Sequence, residues 1–543
     1  MRTKLTLLAT LFSIHLSYAS VEHKDEFIEN YLNNISGNMG EKTEILEHIL
    51  KNPEGTFLDI GTGGDAIAII LKSLPKSACP TLIAADIDPL VLDAIRTRRS
   101  EINAFINNKS GPKVEFVAMG ATQMKPIQDS MLAGIGASAL MHEVFSYIPN
   151  KGPLDQFAEE VCRVLEKEGV FVYRDPKWVD APNDQCTMVI KNDLAKYYTS
   201  LFLVKFLDRH FSLIRDYKNE CSKPGHYSSA DIKINAYITA ESKYSRLTFD
   251  KFLNTPSRAI DDTKNFSVEA PHGLIAEIER HYLMFLKDYF PPGLLDAGHF
   301  NDDIKLGALS SEEQPIFIHY LNNKSIKADN EVITKDWIPT LLHESAMLKQ
   351  VFEEGFKIDL TDRPELLNFI QKMPFHNIDR NLIYLPNDKT LIIDPKMFIL
   401  LFHGKGKGIF QFIRETDSLD ILEHLQLEGE EHYFYFTTDE LITYFGQFSK
   451  FMLKDTHKKN YILAPIDADH IKVAPRDYYK QILERDFLVV DSYGNSRGPE
   501  TGKTIIHFRL QPESRAFKVY RALIDMSPGT YVSLCKWVNH ETL

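Results

Sequence analysis

The chain has little cysteine and little tryptophan, five and three among 543 residues, and no long apolar run beyond its first twenty positions. Cys79, Cys162, Cys186, Cys221 and Cys535 show neither metal-ligand spacing nor the order of a disulfide framework, so free buried thiols are expected. An excess of positive charge is also missing. Lys and Arg number 62 against 75 Asp and Glu, a net charge of −13 at pH 7, which disfavours nucleic acid as a general partner because a phosphate lattice needs a clustered basic surface. The trio Arg96, Arg98 and Arg99 fits a solvated helix face. His142-Glu143 and His343-Glu344 lack the second histidine of a zinc-protease helix, since Ser146 and Met347 stand in its place. The stretch 498–504 is one residue short of a phosphate loop and runs into a strand-like segment, 505–510, so it reads as a plain loop. Gly404 to Gly408 is a solvated basic turn by composition.

What is present is the composition of a soluble globular protein, 44% hydrophobic and 25% charged, with length for two or three domains. Residues 1–19 have the layout of a secretory signal peptide: Arg2 and Lys4, an apolar stretch from Leu5 to Leu16, then small Ser17 and Ala19. Such a stretch is too short to span a bilayer, and no later segment is long and apolar enough, so no membrane span is expected after cleavage. The leader predicts export to a periplasm, to the medium or into a host cell, with a cytoplasmic location if it does not function.

The most informative stretch lies at 57–88. An apolar run over 56–60 meets Gly61-Thr62-Gly63-Gly64, after which Ala66, Ile67, Ile69, Ile70 and Leu74 follow helical spacing. A second run over 82–85 ends in Asp86, about 20 residues past the turn, where a carboxylate reaches ribose hydroxyls. Strand, glycine turn, helix, strand and acid together predict an adenosine-containing cofactor. A nicotinamide dinucleotide and a sulfonium cofactor both fit. Asp59, two residues before the first glycine, separates them, because a carboxylate there repels a pyrophosphate and attracts a cation.

Residues 59–63, Asp-Ile-Gly-Thr-Gly, resemble motif I of class I S-adenosylmethionine-dependent methyltransferases, and 84–95 resemble that family's next motif. The resemblance implies that Asp59, Gly61 and Gly63 cradle the cofactor, that Asp86 grips the ribose and that Ile87 lies against the adenine. It extends over about 40–176 through strand-like segments at 114–118, 132–140 and 169–175, and implies a parallel, doubly wound sheet. The pattern departs from the family at Asp65, in place of a third glycine, and at 119–123, Met-Gly-Ala-Thr-Gln, where many relatives carry an acid for the adenine amino group.

Methyl transfer asks little of a protein beyond alignment and, for a protonated acceptor, a base. His142 and Glu143, at the expected carboxyl edge of the fourth strand, are the catalytic candidates. Tyr147, Arg174 and Asp175 come next, the last two also readable as a structural ion pair. The expected fold is α/β: a Rossmann-like methyltransferase sheet over 20–180, a mainly helical lid over 181–329 that supplies substrate contacts and the last strands of the sheet, and a separate C-terminal α+β region over 330–543. In that region a hairpin is expected around 381–394 and a capped helix at Thr437-x-x-Glu440. Three functions compete: a methyltransferase acting on a small molecule or a protein, a nicotinamide oxidoreductase, and a non-catalytic binding protein on a methyltransferase scaffold.

Overall fold

The computed structural model describes residues 43–106, 111–147, 152–191, 229–289 and 436–541 apart from short gaps, with scattered shorter pieces between them. The leader at 1–19, Gly63, Cys221, His343-Glu344 and the 404–408 turn lie outside the described residues. The first half alternates strand and helix. Helix α1 (Leu46–Lys51) precedes β1 (Thr56–Ile60), α2 (Asp65–Ser73), β2 (Thr81–Asp86), α3 (Pro89–Arg98), β3 (Lys113–Ala118), β4 (Leu132–Ser138), α4 (Met141–Tyr147), α5 (Gly152–Val164) and β5 (Leu165–Pro176). These five strands are mutually parallel in the order β3-β2-β1-β4-β5, a doubly wound, Rossmann-like sheet as expected.

Alternation along each strand divides the apolar residues between two faces. Phe57, Leu82, Ala84 and Val172 pack under α1, α2 and α3, whereas Leu58, Ile60, Ile83, Ile135 and Phe171 pack under α4 and α5. Both faces are covered, which is why the strands read as continuous apolar runs. Glycine in β4 has a packing reason: a Cβ on Gly134 would stand 2.8 Å from Phe57 Cδ1.

Beyond β5 the structure departs from expectation. The block expected to be mainly helical holds β6 (Gln185–Ile190), β7 (Lys233–Ile238), β8 (Lys243–Thr248) and β9 (Phe266–Pro271) before the long helix α6 (His272–Tyr289). The aromatic stripe of that helix, Ile278, His281, Tyr282, Phe285 and Leu286, is fully buried, as its spacing implied. A small hairpin, β10 (Ile326–Ala328) with β11 (Glu331–Ile333), and a three-stranded sheet of β12 (Phe356–Asp359), β13 (Leu382–Leu385) and β14 (Thr390–Ile393) follow, the latter containing the expected hairpin.

The expected boundary near 330 does not isolate the C-terminus. Helix α7 (Thr438–Leu453) leads to β15 (Tyr461–Pro465), β16 (Ile471–Ala474), α8 (Asp477–Asp486), β17 (Phe487–Asp491), β18 (Ser496–Arg497), β19 (Lys503–Pro512), α9 (Glu513–Met526) and α10 (Val532–Glu541). Strand β19 pairs antiparallel with β5, and β15 and β16 pair with β19, so the sheet opened by β1 is completed from the far end of the chain. The last strands of the sheet therefore come from 461–512, not from the block after β5. Strands β17 and β18 instead join β6, β9, β7 and β8 in a second, antiparallel sheet. Helix α7 starts with the expected capping box between Thr437 and Glu440. Among the described residues no helix is long and apolar enough to cross a membrane.

Candidate active site

Strand β1 lies between β2 and β4, so the crossovers leave it in opposite directions and open a crevice over the carboxyl ends of the strands. Gly61 ends β1 with φ +70°, where an L side chain is strained, and a Cβ there would stand 3.0 Å from Leu140 Cδ1. The N–H groups of Gly61 and Thr62 both donate to the Ala85 carbonyl of β2, at 2.9 and 3.0 Å. These two donors bind the turn to the sheet and are not offered to a ligand. Asp65 is the first residue of α2.

Asp59 accepts from Thr62 Oγ1 at 2.6 Å with one carboxylate oxygen. Its other oxygen faces Gly136 of β4, where a Cβ would lie 3.8 Å away, so the absent side chain leaves space beside the carboxylate. Asp86 ends β2, is 8% exposed, and accepts from the Asp88 N–H at 2.9 Å. Burial pushes its carboxyl up to about 7; the charges of Asp88 and Asp59 push the same way, against the lowering by backbone N–H donors. Ile87 is 41% exposed at the rim and faces Gly120, where a Cβ would lie 3.5 Å from Ile87 Cδ1.

The other half of the crevice is built on β4 and β5. Ala139 turns the chain at the end of β4 with φ 56°, and its N–H donates to the Arg174 carbonyl at 2.8 Å. Helix α4 begins there, and Asp175 holds its first turn twice: one oxygen accepts the His142 N–H at 2.9 Å and the other lies 2.8 Å from His142 Nδ1. Burial alone would raise the Asp175 carboxyl, yet the His142 ring, its N–H and the Lys503 charge hold it below its ordinary value. An ionised carboxylate at that distance takes the Nδ1 proton as donor, so the lone pair of His142 sits on Nε2. Arg174 and Asp175 are successive strand residues and point to opposite faces; Asp175 holds His142, and Arg174 donates to Ser138 Oγ at 2.9 Å.

Residues from the later chain close this half. Glu431 Oε2 stands 3.8 Å from His142 Nε2, and the Tyr433 ring lies 5.1 Å from the imidazole. Helix α6 fixes that segment: His281 Nε2 donates to the Glu431 carbonyl at 2.8 Å, Glu277 accepts the Tyr433 N–H at 3.2 Å, and Arg280 lies over the Tyr433 ring at 5.4 Å. The carboxyl of Glu143 is turned inward and pushed well above its ordinary value, by burial first and then by the charges of Glu431, Asp86 and Asp175. The candidate groups on β1–β2 and on β4–β5 are therefore close enough to influence each other's ionisation. Glu143 suits a proton donor or hydrogen-bond donor, and His142 suits a base. The side chain of Tyr147 lies outside the described residues.

Glu431, Tyr433 and Arg280 carry no local signal that places them here. Each sits in a segment whose only relevant property is where the fold returns it. Asp175 had one, a charge at the end of an apolar strand, but its histidine partner depends on the β4–β5 register.

No family model matches the chain, and no curated protein matches it. Solved structures do match part of it. A methyltransferase of Methanosarcina mazei dependent on S-adenosylmethionine is 23% identical over 24% of this chain and 57% of its own, with TM-score 0.19. One from Aquifex aeolicus is 19% identical over 28% of this chain and 73% of its own, with TM-score 0.21. An N-methyltransferase of Bradyrhizobium japonicum in complex with S-adenosylhomocysteine is 14% identical over 25% of this chain and 61% of its own, with TM-score 0.20.

Proposed function

We propose that the chain is an S-adenosylmethionine-dependent methyltransferase whose cofactor lies over Asp59, Gly61, Gly63, Asp86 and Ile87 and whose acceptor meets His142 and Glu143. The observation that carries the proposal is the concentration of carboxyl groups around one crevice, Asp59, Asp86, Glu143, Asp175 and Glu431, where burial first, with neighbouring carboxylates adding to it, drives Asp86 and Glu143 toward their protonated forms. The charge that this group carries favours a ligand that brings positive charge. A sulfonium with an α-amino group does; a dinucleotide pyrophosphate is repelled, which argues against the nicotinamide alternative.

When bound, the cofactor supplies an activated methyl group. The protein's share is to hold the ribose through Asp86, to orient the acceptor against the end of β4, and to take the acceptor's proton on His142 Nε2. Asp175 holds the imidazole in the required tautomer and stabilises it once protonated. Glu431 and Tyr433 restrict what reaches that nitrogen, so the acceptor class is set by segments inserted between β5 and α7. A small molecule or a side chain of another protein is compatible with that opening.

Thermal shifts of the full chain with S-adenosylmethionine, S-adenosylhomocysteine, NAD and NADP test the reading. Both sulfur ligands are expected to raise Tm, and Asp59→Asn should weaken the sulfonium form more than the uncharged thioether. A shift with NAD and none with S-adenosylmethionine overturns the proposal. Asp175→Asn should keep the shift while lowering transfer of labelled methyl into cell extract by about 10²- to 10⁴-fold. Cofactor binding with no transfer by the unaltered chain would favour the non-catalytic scaffold.

A further inference from the structure

On the sheet face covered by α1, helix α1, strand β19 and the turn after β15 bring imidazoles and carboxylates together. His507 is fully buried and His48 is 4% exposed. His48 Nε2 lies 2.9 Å from His507 Nδ1. Glu47 Oε1 lies 3.1 Å from His48 Nε2, 3.3 Å from His507 Nδ1 and 3.2 Å from His470 Nε2. Among the described residues, Glu47, His48 and His507 form the one group of three ligating side chains whose donor atoms all lie within 4.8 Å of one another.

Hydrogen bonds alone do not account for this arrangement. A neutral imidazole has one N–H. The Nε2 of His507 faces Glu44 Oε2 at 3.2 Å without a well-formed hydrogen bond, and a proton drawn there by that carboxylate leaves a lone pair on Nδ1. The N–H of His470 is drawn to Nδ1 by Asp467 Oδ1 at 2.6 Å, which leaves a lone pair on Nε2 facing the Glu47 carboxylate. The His48 N–H can serve one neighbour at a time. Glu47 Oε1 is buried and accepts no well-formed hydrogen bond among the described residues. Lone pairs therefore converge on a common space from three directions, which is the condition for a cation between them.

We propose that Glu47, His48 and His507 bind one Zn²⁺, with His470 Nε2, 3.2 Å from Glu47 Oε1, lying outside the three-ligand group. Bonds of about 2.0–2.1 Å place neighbouring ligands of a tetrahedron about 3.3 Å apart, and the separations of 2.9 to 3.3 Å among Glu47, His48 and His507 already approach that spacing. Imidazole and carboxylate without thiolate suit zinc better than a soft cuprous ion or an iron–sulfur cluster. His507 faces a carboxylate, Glu44, with the nitrogen opposite the proposed metal, the partner that fixes tautomer and ring orientation at metal-bound imidazoles. Glu44 is itself held by Lys472 at 2.9 Å.

Three protein ligands leave the fourth position of a tetrahedron to water. The ion would clasp α1 to β19. His507 pairs with Val172, Val172 with Gly136 and Gly136 with Asp59, so clasp and cofactor carboxylate share one row of the sheet. Three strand spacings separate them, about 14 Å. Ile45, just before α1, bridges part of that interval, 3.7 Å from where a Gly136 Cβ would stand.

The test is metal binding by the full chain after treatment with a chelator. One equivalent of Zn²⁺ is expected to bind and raise Tm, and Co²⁺ in its place should give the intense visible bands of a tetrahedral ion. His48→Gln and His507→Gln should abolish binding. Because His507 is buried, Glu47→Gln provides a variant at a less enclosed position, with circular dichroism confirming the fold. Glu44→Gln, which acts through His507, should weaken binding by about 10- to 100-fold. A folded chain that takes up no zinc overturns the proposal and leaves a shared-proton histidine pair. So does zinc uptake undiminished by His48→Gln and Glu47→Gln together.

Discussion

Asp86 sets stability against binding at a single residue. Its carboxyl is raised from 3.8 to about 7 in the folded chain, so between those values the folded state holds a proton that the unfolded state has released. Stability from this group is therefore full below about pH 4 and falls as pH rises to about 7, by about 1.4 kcal/mol per pH unit at most. Asp86→Asn removes that slope. Relative to the parent chain, the ligand-free variant should gain stability steadily from pH 4 to 7 and plateau above it, which urea melts at several pH values measure. The same variant should lose affinity for S-adenosylmethionine, because the amide no longer accepts from both ribose hydroxyls. A stability difference independent of pH would show that the carboxyl is not desolvated as described.

At the scale of elements, Lys458 couples the two ends of the sequence. Its ammonium, 2% exposed, donates to the carbonyls of Cys162, Arg163 and Leu165 at 2.8, 2.9 and 2.5 Å, where α5 ends and β5 begins. The carbonyls of Cys162 and Arg163, in the last turn of α5, have no partner within the helix, that of Arg163 also accepting the Ser130 N–H at 2.9 Å, and a cation suits the negative end of the helix dipole. Lys458→Met keeps the apolar stem and leaves the carbonyls buried without the donor. A loss of about 2–4 kcal/mol is expected in thermal or urea melts, with Lys458→Arg recovering part of it. The element scale is also where sequence reading succeeded and stopped. β1 to β5 were legible because each is a short apolar run closed by glycine or charge, and the Thr437–Glu440 capping box because both partners lie within one turn. The strand 505–510 was visible too, but its pairing with β5 was not, since register between distant segments leaves no local trace. β7 was overlooked although Lys233-Ile234-Asn235-Ala236-Tyr237-Ile238 alternates half-buried and buried positions in strict strand fashion. The aromatic stripes on either side of it pointed to helix and outweighed that signal.

For the whole molecule, the consequence is that the candidate methyltransferase core is not a contiguous segment. β5 runs between β4 and β19, and its residues 170 to 176 pair with Lys503 to Arg509 of β19. On the face of α4 and α5, β15, β19, α7, α9 and α10 contribute Leu441, Phe445, Leu463, Phe508, Tyr520 and Trp537 to the same core as Phe157 and Phe171. The segment that resembles the family, taken alone, would end in an apolar edge strand with half of one face uncovered, a template for association with other chains. A fragment of residues 20–191 is therefore expected to be insoluble or to bind hydrophobic dyes without a cooperative melt. Co-expression with residues 437–543 should yield a soluble complex that melts cooperatively, because β19 and β15 then close the sheet and α7, α9 and α10 cover it. Size-exclusion chromatography with calorimetry distinguishes the outcomes. If the first fragment is monomeric and melts cooperatively by itself, the far strands are an addition to a core already complete; if only the pair does so, the insertions that carry Arg280, Glu431 and Tyr433 were placed within a sheet whose two parts fold together.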